Sequence, residues 1–409
     1  MRAVLATVGS RGDVQPMLAL AQALARRGHT ALLATPPNFA GWVRSHGFEH
    51  APLGADIQAW LSDNARYLSG NPATMLRGMS RYFSEQIPVQ FEQLGAILRG
   101  AEAVAIGGLA LAAPSVAEAS GIPRLMVAYT TCVLPSSDHP PPMIPWHGLP
   151  GWMNDLMWRA HHLFGNQLIA GAMNAGRARF GLPPVASLAE HFFRDTPIAI
   201  AADEPLFPAD PAWQDRYPFA GFLFYDDPNA LDPELDAWLG DGEPPVFAGF
   251  GSMSGDSIER VGEMLIEAVR ATGRRCLIGA GWAGLGGGRL PPGWRVVREA
   301  PHALLFPRVA VVVHHGGSGT TANALRAGVP QVILPLILDQ FHHAHRLRIA
   351  GLAPQAPAME RINARELTAA ILAALALPPA PRAATAARLQ ASEAGATITA
   401  MLERMAASG

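Results

Sequence analysis

The sequence is poor in cysteine and in charge, and it has no long apolar run. Its two cysteines, Cys132 and Cys276, lie far apart and form no CxxC. That argues against a disulfide framework and against a thiolate zinc site. Charged residues make up 16% of the 409 residues, and 31 basic side chains face 33 acidic ones for a net charge of −2. No basic cluster is available, which argues against DNA or RNA as a partner, because nucleic-acid affinity rests on grouped Lys and Arg. The apolar run Ala3 to Val8 is too short for a signal peptide and ends in Gly9-Ser10-Arg11-Gly12-Asp13. The longest uncharged stretch, around Ala103 to Val116, is broken by Gly107-Gly108 and Pro114. It falls short of the ~20 residues that span a bilayer. The expectation is a cytoplasmic protein with no transmembrane segment.

What is present is apolar bulk. Hydrophobic residues make up 49% of the chain, so it is globular and long enough for two or three domains, each with its own core. The opening reads as a βαβ unit. Ala3 to Val8 has strand length, Gly9 to Asp13 is a turn, and Met17, Leu18, Ala21, Leu24 and Ala25 recur at helical spacing before a C-capping Gly28. Thr30 to Ala34, Ala103 to Ile106 and Leu125 to Ala128 continue the strands, the last two flanking an Ala-rich helix. Such alternation marks a parallel sheet covered by helices. A Pro-rich segment at His139 to Pro150 precedes a stretch rich in Met and Trp: Trp152, Met153, Met157, Trp158 and Met173. That stretch reads either as helix core or as an adaptable wall for an apolar ligand.

A second α/β run opens at Val246 to Phe250. It continues through a helix at Ile258 to Ala271 and strands at Cys276 to Ile278, Arg295 to Val297, Ala310 to Val313 and Gln331 to Leu334. The expected organisation is a first domain over 1–205, a Pro- and Asp-rich linker over 206–244, a second domain over 245–380 and a helical tail over 381–409.

The sharpest local signal is Val311-Val312-Val313-His314-His315-Gly316-Gly317-Ser318-Gly319-Thr320-Thr321. A buried strand runs into a glycine turn, and a helix starts near Ser318. Free N–H groups at a helix start bind anions, and glycines let the backbone approach a phosphate. The alternative is a tight βα turn capped by Ser318. Asp13 likewise has two readings: an N-cap, which Asp favours, or a proton acceptor. Gly279-Ala280-Gly281-Trp282-Ala283-Gly284 matches GxGxxG, but Gly286-Gly287-Gly288 and Pro291-Pro292 follow where a dinucleotide site needs a helix. His342, His343 and His345 have no carboxylate or Cys nearby to complete a metal site, apart from Asp339.

The run His314 to Thr321, with Ala327-Gly328-Val329-Pro330, Pro335 and Asp339-Gln340, resembles the donor signature of family-1 nucleotide-sugar glycosyltransferases of the GT-B fold. Gly9-Ser10-Arg11-Gly12-Asp13-Val14-Gln15-Pro16, Ala34-Thr35-Pro36-Pro37-Asn38-Phe39 and Pro245 to Met253 resemble the glycopeptide-antibiotic and sterol branch. The resemblance covers nearly the whole chain and is weakest between about Leu134 and Asp195. It implies an α/β fold of two Rossmann-like domains facing across a cleft, with the tail crossing back to the first domain. Asp13 then matches the catalytic base. Ser10, Gly251, Ser252, His315, Gly317, Ser318, Gly319 and Thr320 match the grip on the donor diphosphate. Asp339 and Gln340 match the pair that holds the sugar, and Pro301 and His302 the segment beside the nucleobase. Asp138, His139 and Trp152 are expected at the acceptor. Asn323 stands where plant relatives place a ribose-clamping Glu, and no base-stacking Trp is found near Glu299, which leaves UDP and dTDP both open. The implied activity is inverting hexosyl transfer from a UDP- or dTDP-sugar to a hydroxyl of an apolar natural product, sterol or lipid. The nucleotide sugar is a co-substrate, no further cofactor is expected, and the missing acidic DxD motif implies metal independence. A nucleotide-sugar epimerase and a non-catalytic nucleotide-sugar binding protein are the alternatives.

Overall fold

The computed structural model describes residues 1–409 except 57–58, 61–62, 65–71, 143, 252–255, 281–289 and 409, and describes the backbone alone at 72–73, 75 and 256–261. The chain forms two compact units. One comprises Met1–Pro141, Gly148–Tyr225 and Glu393–Gly409, the other Pro142–His147 and Asp226–Ser392.

The first unit is built on six parallel strands: β1 (Arg2–Val8), β2 (Thr30–Thr35), β3 (Glu49–Pro52), β4 (Ala103–Gly108), β5 (Arg124–Ala128) and β6 (Ile198–Ile200). Their order across the sheet is β3-β2-β1-β4-β5-β6. Because β1 is central, both its faces are covered, and Val4, Leu5, Ala6 and Val8 are fully buried. This explains why its sequence is uniformly apolar rather than alternating. Connections run outward from β1 on one side and from β4 on the other, so strand order reverses between them. In such sheets ligands collect at the carboxyl ends beside that reversal.

The second unit repeats the plan with β7 (Val246–Gly249), β8 (Cys276–Gly279), β9 (Arg295–Val297), β10 (Val311–His314) and β11 (Gln331–Ile333), in the order β11-β10-β7-β8-β9. All pairs are parallel, and the reversal falls between β7 and β10. The strands and the βα order expected from sequence are found within one or two residues. Two strands have weak local signals: β3 has no apolar alternation, and β6 is three residues long.

The expected boundaries shift. Residues 206–225 of the expected linker pack into the first unit, where Phe207, Trp213, Tyr217, Phe222 and Tyr225 are buried. Residues after Asp226 join the second unit, and the Pro233–Gly240 helix buries Leu235 and Leu239 there. Pro and Asp set turns and helix caps in this segment, not a bare tether. The tail divides as well. The Pro379–Gln390 helix stays with the second unit, and the Ala394–Ser408 helix packs on the first, against the Arg11–Arg26 helix. There Glu403 accepts from Arg27 at 2.7 and 2.9 Å and pairs with His29 at 2.7 Å. The bond from Arg27, helped by His29, draws the Glu403 carboxyl down to about 2.

The Met- and Trp-rich stretch forms the Gly151–Arg179 helix, which is core in part. Trp158 and Met173 are core, whereas Trp152 is 67% exposed. Among the described residues no single helix is long and apolar enough to cross a membrane.

Candidate functional site

In the first unit, β1 delivers the turn Gly9–Asp13 to the reversal point. Asp13 is not the helix N-cap. Ser10 is, and its side chain accepts from Gly12 N at 3.2 Å. Asp13 is the third helical residue, and its Oδ2 reaches back to Ser10 N at 2.7 Å and Ser10 Oγ at 3.2 Å. Together the two side chains make a capping box. Asp and Ser are both good N-caps, so composition alone could not tell which one sits at the boundary. A Cβ on Gly9 would stand 2.1 Å from Asp13 Oδ2, so only glycine fits there. The other carboxylate oxygen, Oδ1, lies toward Gly108 at the end of β4. Tyr129, just beyond β5, donates its hydroxyl to the Asp13 carbonyl at 3.0 Å. Burial and the nearby Asp13 carboxylate push this phenol well up, so it stays a donor. A carboxylate offers about four lone-pair positions, so the capping box leaves acceptor capacity on Asp13.

In the second unit, β10 delivers His314 and His315 to its own reversal point, and Gly251 follows the adjacent β7. The Ser318–Arg326 helix starts directly after the turn. Its N-cap is Gly317, with no side-chain cap, so Ser318 is the first helical residue and not the cap. The first N–H groups of a helix have no intrahelical acceptor, and the peptide dipoles add partial positive charge there. The His315 ring lies across this turn. A Cβ on Gly317 would be 2.5 Å from His315 Nε2, and one on Gly251 would be 3.3 Å from Cε1. His315 Nδ1 is buried with no hydrogen-bond partner among the described residues. Burial, and secondarily His343, lower the imidazole to about 4, so the ring is neutral at pH 7. Ser252 lies outside the described residues, as does the glycine run after Ala280.

Two histidines hold this turn from beneath. His314 Nδ1 accepts from Gly316 N at 3.1 Å, which leaves its proton on Nε2, facing Gln331 Oε1 at 2.9 Å. His343 Nδ1 donates to the Gly316 carbonyl at 2.7 Å and stands 3.6 Å from Asp339 Oδ2. His343 thus belongs to the turn. Its signal, a histidine on a helix four residues after an Asp, reads equally well as a metal ligand. Burial raises Asp339 above the usual carboxylate range, partly offset by His343. Gln340 is more constrained than a sugar ligand would need to be. Its Oε1 accepts from Leu336 N at 2.8 Å and Ile337 N at 3.1 Å, fixing the loop after β11. Gly319 and Thr320 lie in the first turn of the helix, and Asn323 donates to the Gly319 carbonyl at 2.8 Å. His302 stacks on Phe306, with ring centres 4.3 Å apart and planes 17° apart, and Pro301 is the N-cap of its short helix.

The three expected acceptor residues do not gather around one group. Asp138 is exposed, and its N–H donates to Ser136 Oγ. His139 is buried edge-on against Trp158, its Nδ1 3.0 Å from the Pro140 carbonyl. Trp152 stands in solvent.

Two family models match the chain: the glycosyltransferase family 28 N-terminal domain over residues 3–126, and the erythromycin biosynthesis protein CIII-like C-terminal domain over residues 283–400. The chain is similar to glycosyltransferase GtfE of Amycolatopsis orientalis, with 35% identity over 90% of each chain. It is also similar to the vancomycin aglycone glucosyltransferase of Amycolatopsis orientalis, with 36% identity over 86% of this chain and 85% of the relative. Among solved structures, glycosyltransferase VinC in complex with dTDP superposes with a TM-score of 0.70 and 21% identity over the whole of both chains. With two parallel α/β units and relatives of this similarity over nine-tenths of its length, the chain belongs to the family-1 nucleotide-sugar glycosyltransferases of the GT-B fold.

Proposed function

We propose that this glycosyltransferase moves a hexose from a dTDP- or UDP-linked donor to a hydroxyl of an apolar natural-product or sterol-like acceptor, with inversion and without a metal ion. The observation that carries the reading is the His315–Gly317 turn. The His315 ring, its Nε2 toward Gly317, lies across an uncapped helix start at the strand reversal of the second unit. An anion such as a diphosphate would satisfy both. The dTDP bound by VinC and the vancomycin aglycone in the name of the second relative favour this donor and acceptor class.

In this mechanism Asp13 accepts the proton of the acceptor hydroxyl, and the oxygen forms a bond to the anomeric carbon. The bond from that carbon to the diphosphate oxygen breaks, and the nucleoside diphosphate leaves with the electron pair. Peptide N–H groups at the start of the Ser318–Arg326 helix and the neutral His315 ring stabilise the charge that builds on the leaving oxygen. These donors take the part a divalent cation plays elsewhere. Asp339 and the amide of Gln340 are assigned to the sugar hydroxyls. A single displacement inverts the anomeric centre.

The test is transfer from dTDP-glucose and UDP-glucose to a panel of phenolic, macrolide and sterol acceptors, in buffer containing EDTA. Anomeric proton couplings then read the product configuration. A β-glucoside formed in the presence of chelator is expected. An α-product, or activity lost to EDTA and restored by Mg²⁺, would overturn the mechanism. An epimerised donor with no acceptor present would favour the isomerase alternative.

A further inference from the structure

The Pro72–Ile97 helix carries Tyr82, Gln86, Gln90 and Gln93 at spacings of four, four and three, which sets them along one side. The last two are occupied. Gln93 Oε1 accepts from Gly54 N at 2.7 Å, fastening the chain that leaves β3. Gln90 donates to the Leu109 carbonyl at 2.9 Å and accepts from Ala112 N at 3.2 Å, fastening the chain that leaves β4. Tyr82 and Gln86 are different. They are only 7% and 8% exposed, yet the Tyr82 hydroxyl and Gln86 Oε1 have no hydrogen-bond partner among the described residues. Folded proteins leave few such atoms unsatisfied, and each one calls for a reason.

The place is informative. Gln86 Oε1 lies 3.8 Å from where a Cβ on Gly54 would stand, and Val8, the last residue of β1, lies 3.4 Å from that same point. Tyr82 meets Trp60 edge-on at 4.9 Å. Burial, and secondarily the Asp13 carboxylate, push the Tyr82 phenol up to about 12, so it is a proton donor at any working pH. One donor and one acceptor thus stand one helical turn apart, with Gln86 near Val8 at the carboxyl end of β1, the strand that leads into the turn of the proposed base.

We propose that Tyr82 and Gln86 together hold a second hydroxyl of the acceptor, next to the one that Asp13 deprotonates, and so select apolar rings that bear adjacent hydroxyl groups. The second hydroxyl accepts from Tyr82 O–H and donates to Gln86 Oε1. An acceptor with a single hydroxyl leaves both protein groups buried and unpaired, and this is how a polar site discriminates strongly. The proposal rests on the reading of Asp13 as the base.

The test uses 4-methylumbelliferone, with one hydroxyl, and 4-methylesculetin, with an adjacent pair, and dTDP-glucose as donor. Binding to the dTDP-saturated enzyme is followed by calorimetry and transfer by kcat/KM. The wild type should favour the two-hydroxyl probe by about 10- to 100-fold. Tyr82→Phe and Gln86→Leu should each bring the ratio toward one, mainly through KM. Neither should lower the melting temperature, since neither polar atom bonds anything within the protein; a merely structural role would lower it. Equal handling of the two probes by the wild type, including binding of neither, would overturn the proposal. So would a preference that survives both substitutions. Asp13→Asn separates the two readings, because it should slow transfer to both probes by about 10²–10⁴-fold and keep the binding preference. Near-full transfer by that variant, with the preference still dependent on Tyr82, would reject the base and keep the Tyr82–Gln86 site.

Discussion

His343 donates its Nδ1 proton to the carbonyl oxygen of Gly316 over 2.7 Å, across 27 residues of sequence. The bond fixes the peptide plane between Gly316 and Gly317, and so the direction in which the following N–H groups point.

Removing that donor should loosen the turn. His343→Leu leaves a buried carbonyl unsatisfied, at a cost of about 1–3 kcal/mol, and should weaken dTDP binding although His315 is intact. His343→Asn, which can donate from a similar position, should recover most of both. Calorimetric titration with dTDP and thermal melts check this. Full dTDP affinity in the Leu variant would show that the turn holds without the tether.

Asp13→Asn keeps an oxygen that can accept from Ser10 N and removes the proton acceptor. Turnover should fall by about 10²–10⁴-fold, with melting temperature and dTDP affinity near wild type. Asp13→Ala should lose similar activity and also about 0.3–1.5 kcal/mol of stability through the broken capping box. Near-full turnover in the Asn variant at saturating acceptor would reduce Asp13 to its role in the helix start.

Asp339 and Gln340 should separate in their effects. Asp339→Ala is expected to lower turnover while leaving dTDP affinity nearly unchanged. Gln340→Leu strips the acceptor from Leu336 N and Ile337 N and should cost about 1–3 kcal/mol in stability as well as turnover. Equal loss of dTDP affinity and turnover in the Asp339 variant would place that carboxylate on the nucleotide.

Acid should destabilise the fold in a window set by histidine. Burial first, and then a neighbouring ring or Arg177, lowers His191 and His315 to about 4 and His314 to about 3, from an ordinary 6.5. As pH falls below 6.5 the unfolded chain binds protons that the folded chain refuses. Stability therefore rises with pH between about 4 and 6.5, and falls on acidification through the same window. Carboxylates with lowered values act below this range, where Glu118 and Glu403 begin to protonate. Urea midpoints between pH 4.5 and 8 should show the slope, and His191→Gln should flatten it. An unchanged slope in that variant would remove His191 from the account.

The strand–turn–helix around His315 was legible in the sequence because its parts are local. A β-branched run, three glycines and a helix start lie within eleven residues, and each constrains the next. Asp13 was placed at the right turn but at the wrong helical position, since Ser10 and Asp13 compete for one cap. Tyr129 was not legible at all. It reaches Asp13 from 116 residues away, and only the β1-β4-β5 pairing brings it there. Tyr82 and Gln86 lie in the Pro72–Ile97 helix, which the sequence reading passed over. The Pro- and Asp-rich segment misled for a physical reason: the residues that suit a flexible tether also set the caps and turns of a packed one.

The Ala394–Ser408 helix gives the first unit a late-arriving part. A ribosome makes residues 1–225, then the whole second unit, and only then residues 393–409. At about 5–20 residues per second, roughly ten to thirty seconds separate the two contributions. Throughout that interval the face of the Arg11–Arg26 helix around Ala23 has nothing to cover it, and Arg27 and His29 lack their carboxylate. The half that carries Asp13 is therefore completed after the half that carries His315, although its chain is made first.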